Sequence, residues 1–156
     1  MLNNILVLAI GNDIMGDDGA ALAAAEILQK NVPDTIDFEY VYGGGLEILD
    51  YMEGREKTLI LDTISTGLNP PGTIIEFKKD DFQYITASSP HYVGLPEVVK
   101  MATLFGIDFP NEIKILAIEI VTQHVITEEI SPNIGEHLPF FIKKAKEIID
   151  GWLKDL

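Results

Sequence analysis

Ile5-Leu6-Val7-Leu8-Ala9-Ile10-Gly11-Asn12-Asp13-Ile14-Met15-Gly16-Asp17-Asp18-Gly19 decides the fold. An unbroken apolar run without polar alternation is the pattern of a central parallel strand, and Asn4–Ile10 reads as one. A loop punctuated by glycines and rich in aspartate follows. Gly19–Lys30 then carries small and apolar residues at helical spacing, Ala20, Ala23, Ala24, Ile27 and Leu28, until Asn31-Val32-Pro33-Asp34 stops it.

The same alternation continues outward. Ile36–Tyr42 is rich in β-formers and reads as a second strand, Gly43-Gly44-Gly45 as a turn and Leu46–Met52 as a short helix. Lys57–Asp62 reads as a third strand buried on both faces. Asn69-Pro70-Pro71-Gly72 is a strong turn signal, and Thr73–Lys78 after it reads as a strand that can run antiparallel. Gly94–Leu104 has helical periodicity through Leu95, Val98, Val99 and Leu104, and Ile113–Glu119 reads as the last strand. Ile134–Leu156 is a terminal amphipathic helix with Phe141, Ala145, Ile148, Ile149 and Trp152 on its apolar side and Ser131-Pro132-Asn133 as its cap. Five strands alternating with helices predict one α/β domain over residues 1–156, with a mostly parallel sheet covered on both faces.

Bulk properties narrow the function. No apolar run approaches the roughly 20 residues needed to span a membrane, and the N-terminal run lacks a basic flank, so it reads as a strand and not a signal peptide. The 156 residues include no cysteine, which removes disulfides, thiolate metal sites and cysteine nucleophiles and fits a cytoplasmic protein. A formal charge of −14 argues against nucleic acid and anionic membrane surfaces, since phosphate binding needs clustered Lys and Arg.

The first loop is not a nucleotide loop. Gly11-x4-Gly16 mimics the start of a phosphate loop, but Asp17 and Asp18 stand where Lys and Ser or Thr would carry the phosphates. The dinucleotide spacing is also absent. Gly16 and Gly19 are expected to allow tight turns with positive φ. One of Asp17 and Asp18 is expected to cap the following helix, leaving the other for chemistry.

Three residues fall where an open α/β sheet binds ligands, outside the carboxyl ends of its strands. Asp18 lies in the first loop, Asp62 ends the third strand, and His91 lies in Ser88-Ser89-Pro90-His91 ahead of a helical segment. Two carboxylates and a neutral imidazole suit a borderline divalent ion and leave coordination positions open. Other constellations are poorer: Ser88 or Ser89 lies too close in sequence to His91 for a triad, and no Gly-x-Ser-x-Gly elbow is present. His124 and His137 read as structural or surface residues, and Trp152 as core.

These residues carry a resemblance. Ile10–Gly19 closely resembles the first motif of the hydrogenase maturation endopeptidases, which process the large subunit of [NiFe] hydrogenases. Leu59-Ile60-Leu61-Asp62-Thr63 with Asn69-Pro70-Pro71-Gly72-Thr73 resembles their second motif, and Ser89-Pro90-His91-Tyr92-Val93-Gly94-Leu95 their third. The resemblance runs over essentially the whole chain. It implies a three-layer α/β/α sandwich around a five-stranded, mostly parallel twisted sheet. It also implies that Asp18, Asp62 and His91 are the metal-contacting and catalytic residues of an aspartyl-type endopeptidase. The implied partner is a [NiFe] hydrogenase large-subunit precursor, which loses a short C-terminal peptide after nickel insertion. Nickel is then substrate-borne, with other divalent metals able to substitute in vitro. Gly19-Ala20-Ala21 departs from the Gly-x-Gly continuation of the first motif. Val41-Tyr42-Gly43-Gly44-Gly45 departs from the Asp-Gly-Gly that ends the second strand in relatives. Neither departure touches the three ligands.

Two other readings compete. A nickel-dependent checkpoint protein would bind the precursor without cutting it. A phosphoacceptor receiver domain would also place acids at these strand ends. In a receiver, however, the acidic pair follows the first strand at once and a Lys ends the last strand, where this chain has Ile118-Glu119.

Overall fold

β1 (Ile5–Ile10) is buried along its whole length because it has a hydrogen-bonded neighbour on each side and helices on each face. The structure, a computed structural model, describes residues 2–42, 47–81, 100 and 102–156. β2 (Ile36–Val41), β3 (Lys57–Ile64), β4 (Ile74–Lys78) and β5 (Glu112–Glu119) complete a five-stranded sheet in the order β2-β1-β3-β5-β4. All pairings are parallel except that of β4, which runs antiparallel to β5 as the turn before it allows.

Side chains alternate across a strand, and β1 distributes them to two cores. Ile5, Val7 and Ala9 pack with Leu59 and Leu61 against α1 (Ala20–Gln29) and the long C-terminal helix (Pro132–Lys154). Leu6, Leu8 and Ile10 pack with Ile60, Ile113 and Ile115 against α2 (Glu47–Met52). Helices therefore cover both faces, and the expected three-layer sandwich is the observed one. The C-terminal helix, α3 below, buries Phe141, Ala145, Ile149 and Trp152 and leaves Ile148 half-buried. His137 accepts its structural role: its Nδ1 lies 2.7 Å from the Asn133 carbonyl, and its ring packs on Gly72. Most of the helix expected over 94–104 lies outside the described residues; residues 100 and 102–105 are helical.

Two boundaries differ in a way that matters for the site. β3 continues two residues past Asp62, to Ile64, because β5 runs alongside it and pairs Asp62 with Ala117, Thr63 with Ile118 and Ile64 with Glu119. Asp62 is therefore set in a paired strand and not in its frayed end. The short 3-10 turn Gly16–Gly19 precedes α1, and no side chain caps either element.

Candidate active site at the carboxyl ends of the strands

The first loop returns over the end of β1. Gly11 N donates to Val41 O at 3.1 Å, and Asn12 N donates to Asp18 O at 3.3 Å. A Cβ on Gly11 would stand 2.3 Å from the Asp18 carbonyl oxygen, so only glycine lets the loop close this tightly. Gly16 has φ +61, the left-handed conformation expected for it. Gly19 does not share it: its φ is −83, and the loop packs closely on it, so that a Cβ there would lie 3.1 Å from Asp13 Cα.

A second segment braces the loop. Met15 forms an isolated parallel bridge with Thr127, through Thr127 N to Ile14 O at 2.9 Å and Gly16 N to Thr127 O at 2.8 Å. Asp17 is buried and accepts from Ser131 N at 2.7 Å and from Ser131 Oγ at 2.8 Å. This corrects two expectations together. Asp17 does not cap α1, and Ser131, although it stands at the N-cap of α3, spends its hydroxyl on Asp17 and not on its own helix.

Asp18 does not cap α1 either. Its Oδ1 accepts a hydrogen bond from Thr63 Oγ1 at 2.7 Å, across 45 positions of sequence. Thr63 lies on the α1 side of the sheet with Leu61, and Asp62 starts from the opposite side with Ile60. Asp62 is fully buried, and its Oδ1 accepts from Thr63 N at 2.7 Å. The single residue Thr63 thus touches both predicted carboxylates, one through its hydroxyl and one through its amide. His91, Ser88 and Ser89 lie outside the described residues. Among the described residues, no three His, Cys, Asp or Glu side chains stand together as a metal-holding group.

Sequence reasoning passed over Thr63 and Glu119. Glu119, at the carboxyl end of β5, is buried and accepts from the amide (2.7 Å) and the hydroxyl of Thr66, which anchors the segment leaving β3. The available signal was position: both residues fall at strand ends on the ligand-binding edge. Exposed apolar side chains rim this edge, with Ile14 after β1, Tyr42 after β2, Leu68 after β3, and Val121, Val125 and Ile126 after β5.

Residues 24–148 match the hydrogenase maturation protease (HycI) family model. The hydrogenase 2 maturation protease of Escherichia coli K12 is 30% identical over 137 residues, covering 84% of this chain and 77% of that protein. Among solved structures, the E. coli hydrogenase maturating endopeptidase HybD superposes with a TM-score of 0.82 at 22% identity, covering 95% of this chain and 93% of that one. The [NiFe] hydrogenase maturation protease HybD of Thermococcus kodakarensis superposes with a TM-score of 0.69 at 25% identity, covering 93% and 98%.

Proposed function

This chain belongs to the hydrogenase maturation protease family, and on that premise we propose that it removes the C-terminal tail of a [NiFe] hydrogenase large-subunit precursor in the cytoplasm, after nickel has entered that precursor. It is an endopeptidase, and its reaction is hydrolysis: water adds across a peptide bond, and a new carboxylate and a new amine leave. Asp18, Asp62 and His91 contact the nickel that the substrate carries. The ion both marks a completed precursor and supplies Lewis acidity beside the scissile bond.

The observation that carries this reading is the placing of the Asp18 and Asp62 carboxylates on one threonine at the carboxyl edge of the sheet. A buried carboxylate is costly unless it is bonded or paired with a cation. Asp17 is committed to Ser131 through both oxygens, so of the adjacent acidic pair Asp18 is the one left for chemistry. Its Oδ2 is the oxygen available to meet the ion or take a proton from water. The rim of exposed aliphatic side chains suits a macromolecular substrate, which must cover them on binding.

The test uses precursor in nickel-loaded and nickel-free forms, with its mass read before and after incubation. Loss of the tail from the loaded form alone supports the reading. Tail removal at the wild-type rate by Asp18→Ala, Asp62→Ala and His91→Ala together overturns the site. Metal-dependent binding with no change in precursor mass overturns hydrolysis in favour of a checkpoint protein.

A further inference from the structure

We propose that Thr63 is the positioning residue for Asp18, fixing Oδ1 so that Oδ2 is the oxygen presented to the substrate's metal ion. This rests on the reading of Asp18 as a metal contact given above.

Asp18 sits in a one-turn 3-10 segment with two rotatable side-chain bonds, so the loop alone does not choose the direction of its carboxylate. Thr63 does not share that freedom. It is held between neighbours in the paired part of β3, opposite Ile118, and is 4% exposed. Burial leaves its hydroxyl little room to turn away from Asp18. Its proton goes to Asp18 Oδ1 at 2.7 Å, a well-formed O–H···O bond. One oxygen is thereby occupied. A carboxylate held in this way favours one-oxygen contact with an ion over two-oxygen chelation. Groups that orient a metal-binding side chain from behind are worth about 10–100-fold in affinity or rate.

Thr63 also joins the two acids mechanically. Its amide serves Asp62 and its hydroxyl serves Asp18, so displacing either carboxylate is felt by the other. A hydroxyl is required at this point, and the γ-methyl is not.

The test compares Thr63→Val, which keeps the shape and loses the donor, with Thr63→Ser, which keeps the donor and loses the methyl. Asp18→Asn is the reference. Ni2+ alone is titrated into each folded protein by calorimetry, and kcat and KM are measured on nickel-loaded precursor. Thr63→Val is expected to bind Ni2+ about tenfold or more weakly and to lose a similar factor in kcat, with KM for the precursor held. Thr63→Ser is expected to stay within about threefold of wild type on both. If Thr63→Val does not fold, Thr63→Ala is read by the same criteria against Thr63→Ser. Wild-type Ni2+ binding and kcat in the donor-less variant overturn the inference, as does an equal loss in the Val and Ser variants. If Asp18→Asn loses both properties while Thr63→Val keeps them, only the role of Thr63 falls. If Asp18→Asn keeps both, the reading of the site falls, and this inference with it.

Discussion

Asp17 and Ser131, 114 positions apart, are joined twice: the Ser131 amide and hydroxyl both donate to the Asp17 carboxylate, at 2.7 and 2.8 Å. The contact binds the loop after β1 to the start of α3, and Asp18 is the next residue along. Asp17→Ala would leave the part-buried amide and hydroxyl of Ser131 without their acceptor, at a cost of about 1–3 kcal/mol. Ser131→Ala removes one bond and keeps the amide, and should cost about 1 kcal/mol. The double variant should lose less than the sum, because both changes act on one contact. Urea unfolding of the four proteins measures this. Strict additivity would show that the two residues do not act as a pair.

Gly11 sets the height of the loop over the strand. A methyl there would meet the Asp18 carbonyl oxygen at 2.3 Å, and that oxygen belongs to backbone, which cannot swing aside. Gly11→Ala should therefore displace Asp18 and lower kcat by about a hundredfold, as misplacement by an ångström does. Gly67→Ala is the control. Gly67 also sits in the loop region of this edge, at φ +71, but has open space around it, so the change should cost only about 1 kcal/mol of stability and little activity. Equal activity in the two variants would remove the close approach as a cause.

The sheet was legible in the sequence because β1 is an unbroken apolar run, β3 and β5 carry apolar centres at Leu59–Leu61 and Ile115–Ile118, and the turn at Asn69–Gly72 announces the reversal into β4. The end of β3 was not, since Thr63 and Ile64 are held in the ladder by β5, whose paired residues lie 55 positions further along the chain and which no local pattern reveals. Asp18 stood out as an acid in the loop after β1 and Asp62 as one ending β3, although the structure extends that strand two residues beyond Asp62. The roles of their neighbours needed three dimensions. Asp17 and Ser131 both carry the local signature of helix caps, yet they satisfy each other across the fold, where a buried carboxylate gains two donors at once. Thr63 reads as one more β-branched strand residue until its distance to Asp18 is known.

At the opposite edge of the sheet, acid should expose a different link. The buried Arg55 guanidinium donates to Asp37, which also accepts from the Asn3 side chain at 2.7 Å. The Arg55 hydrogen bond holds the Asp37 carboxyl below its usual 3.8; the Asn3 bonds act in the same direction, and burial opposes them. A carboxyl lowered in the folded state binds fewer protons there than in the unfolded chain. Its contribution is therefore present above the usual carboxylate value and is lost as pH falls through the folded one. Asp37→Asn should cost about 1–3 kcal/mol at pH 7, mostly by leaving the Arg55 charge with only the Asn3 carbonyl and no carboxylate. The gap from wild type should shrink below pH 4. Urea midpoints for both proteins across pH 2–7 test this, and a gap that stays constant into acid would remove the Asp37 charge as its source.

The rim should reveal itself as binding without chemistry. Thr127 pairs between Ile14 and Gly16, which sets Ile126 beside Ile14 in parallel register, the two being 79% and 45% exposed. Two neighbouring aliphatic side chains that water covers in the free enzyme gain most when a substrate covers them, about 1.5–3 kcal/mol for each side chain fully buried. Ile126→Asp should then raise KM for the folded precursor by about tenfold or more while kcat holds, the mark of an interaction made equally in the ground and transition states. Its unfolding midpoint should barely move, since an exposed side chain contributes little to folding. Ile27→Asp, an exposed position on the outer face of α1, is the matched control and should leave KM alone. An unchanged KM in Ile126→Asp would mean that the precursor approaches the carboxylates without covering the segment after β5.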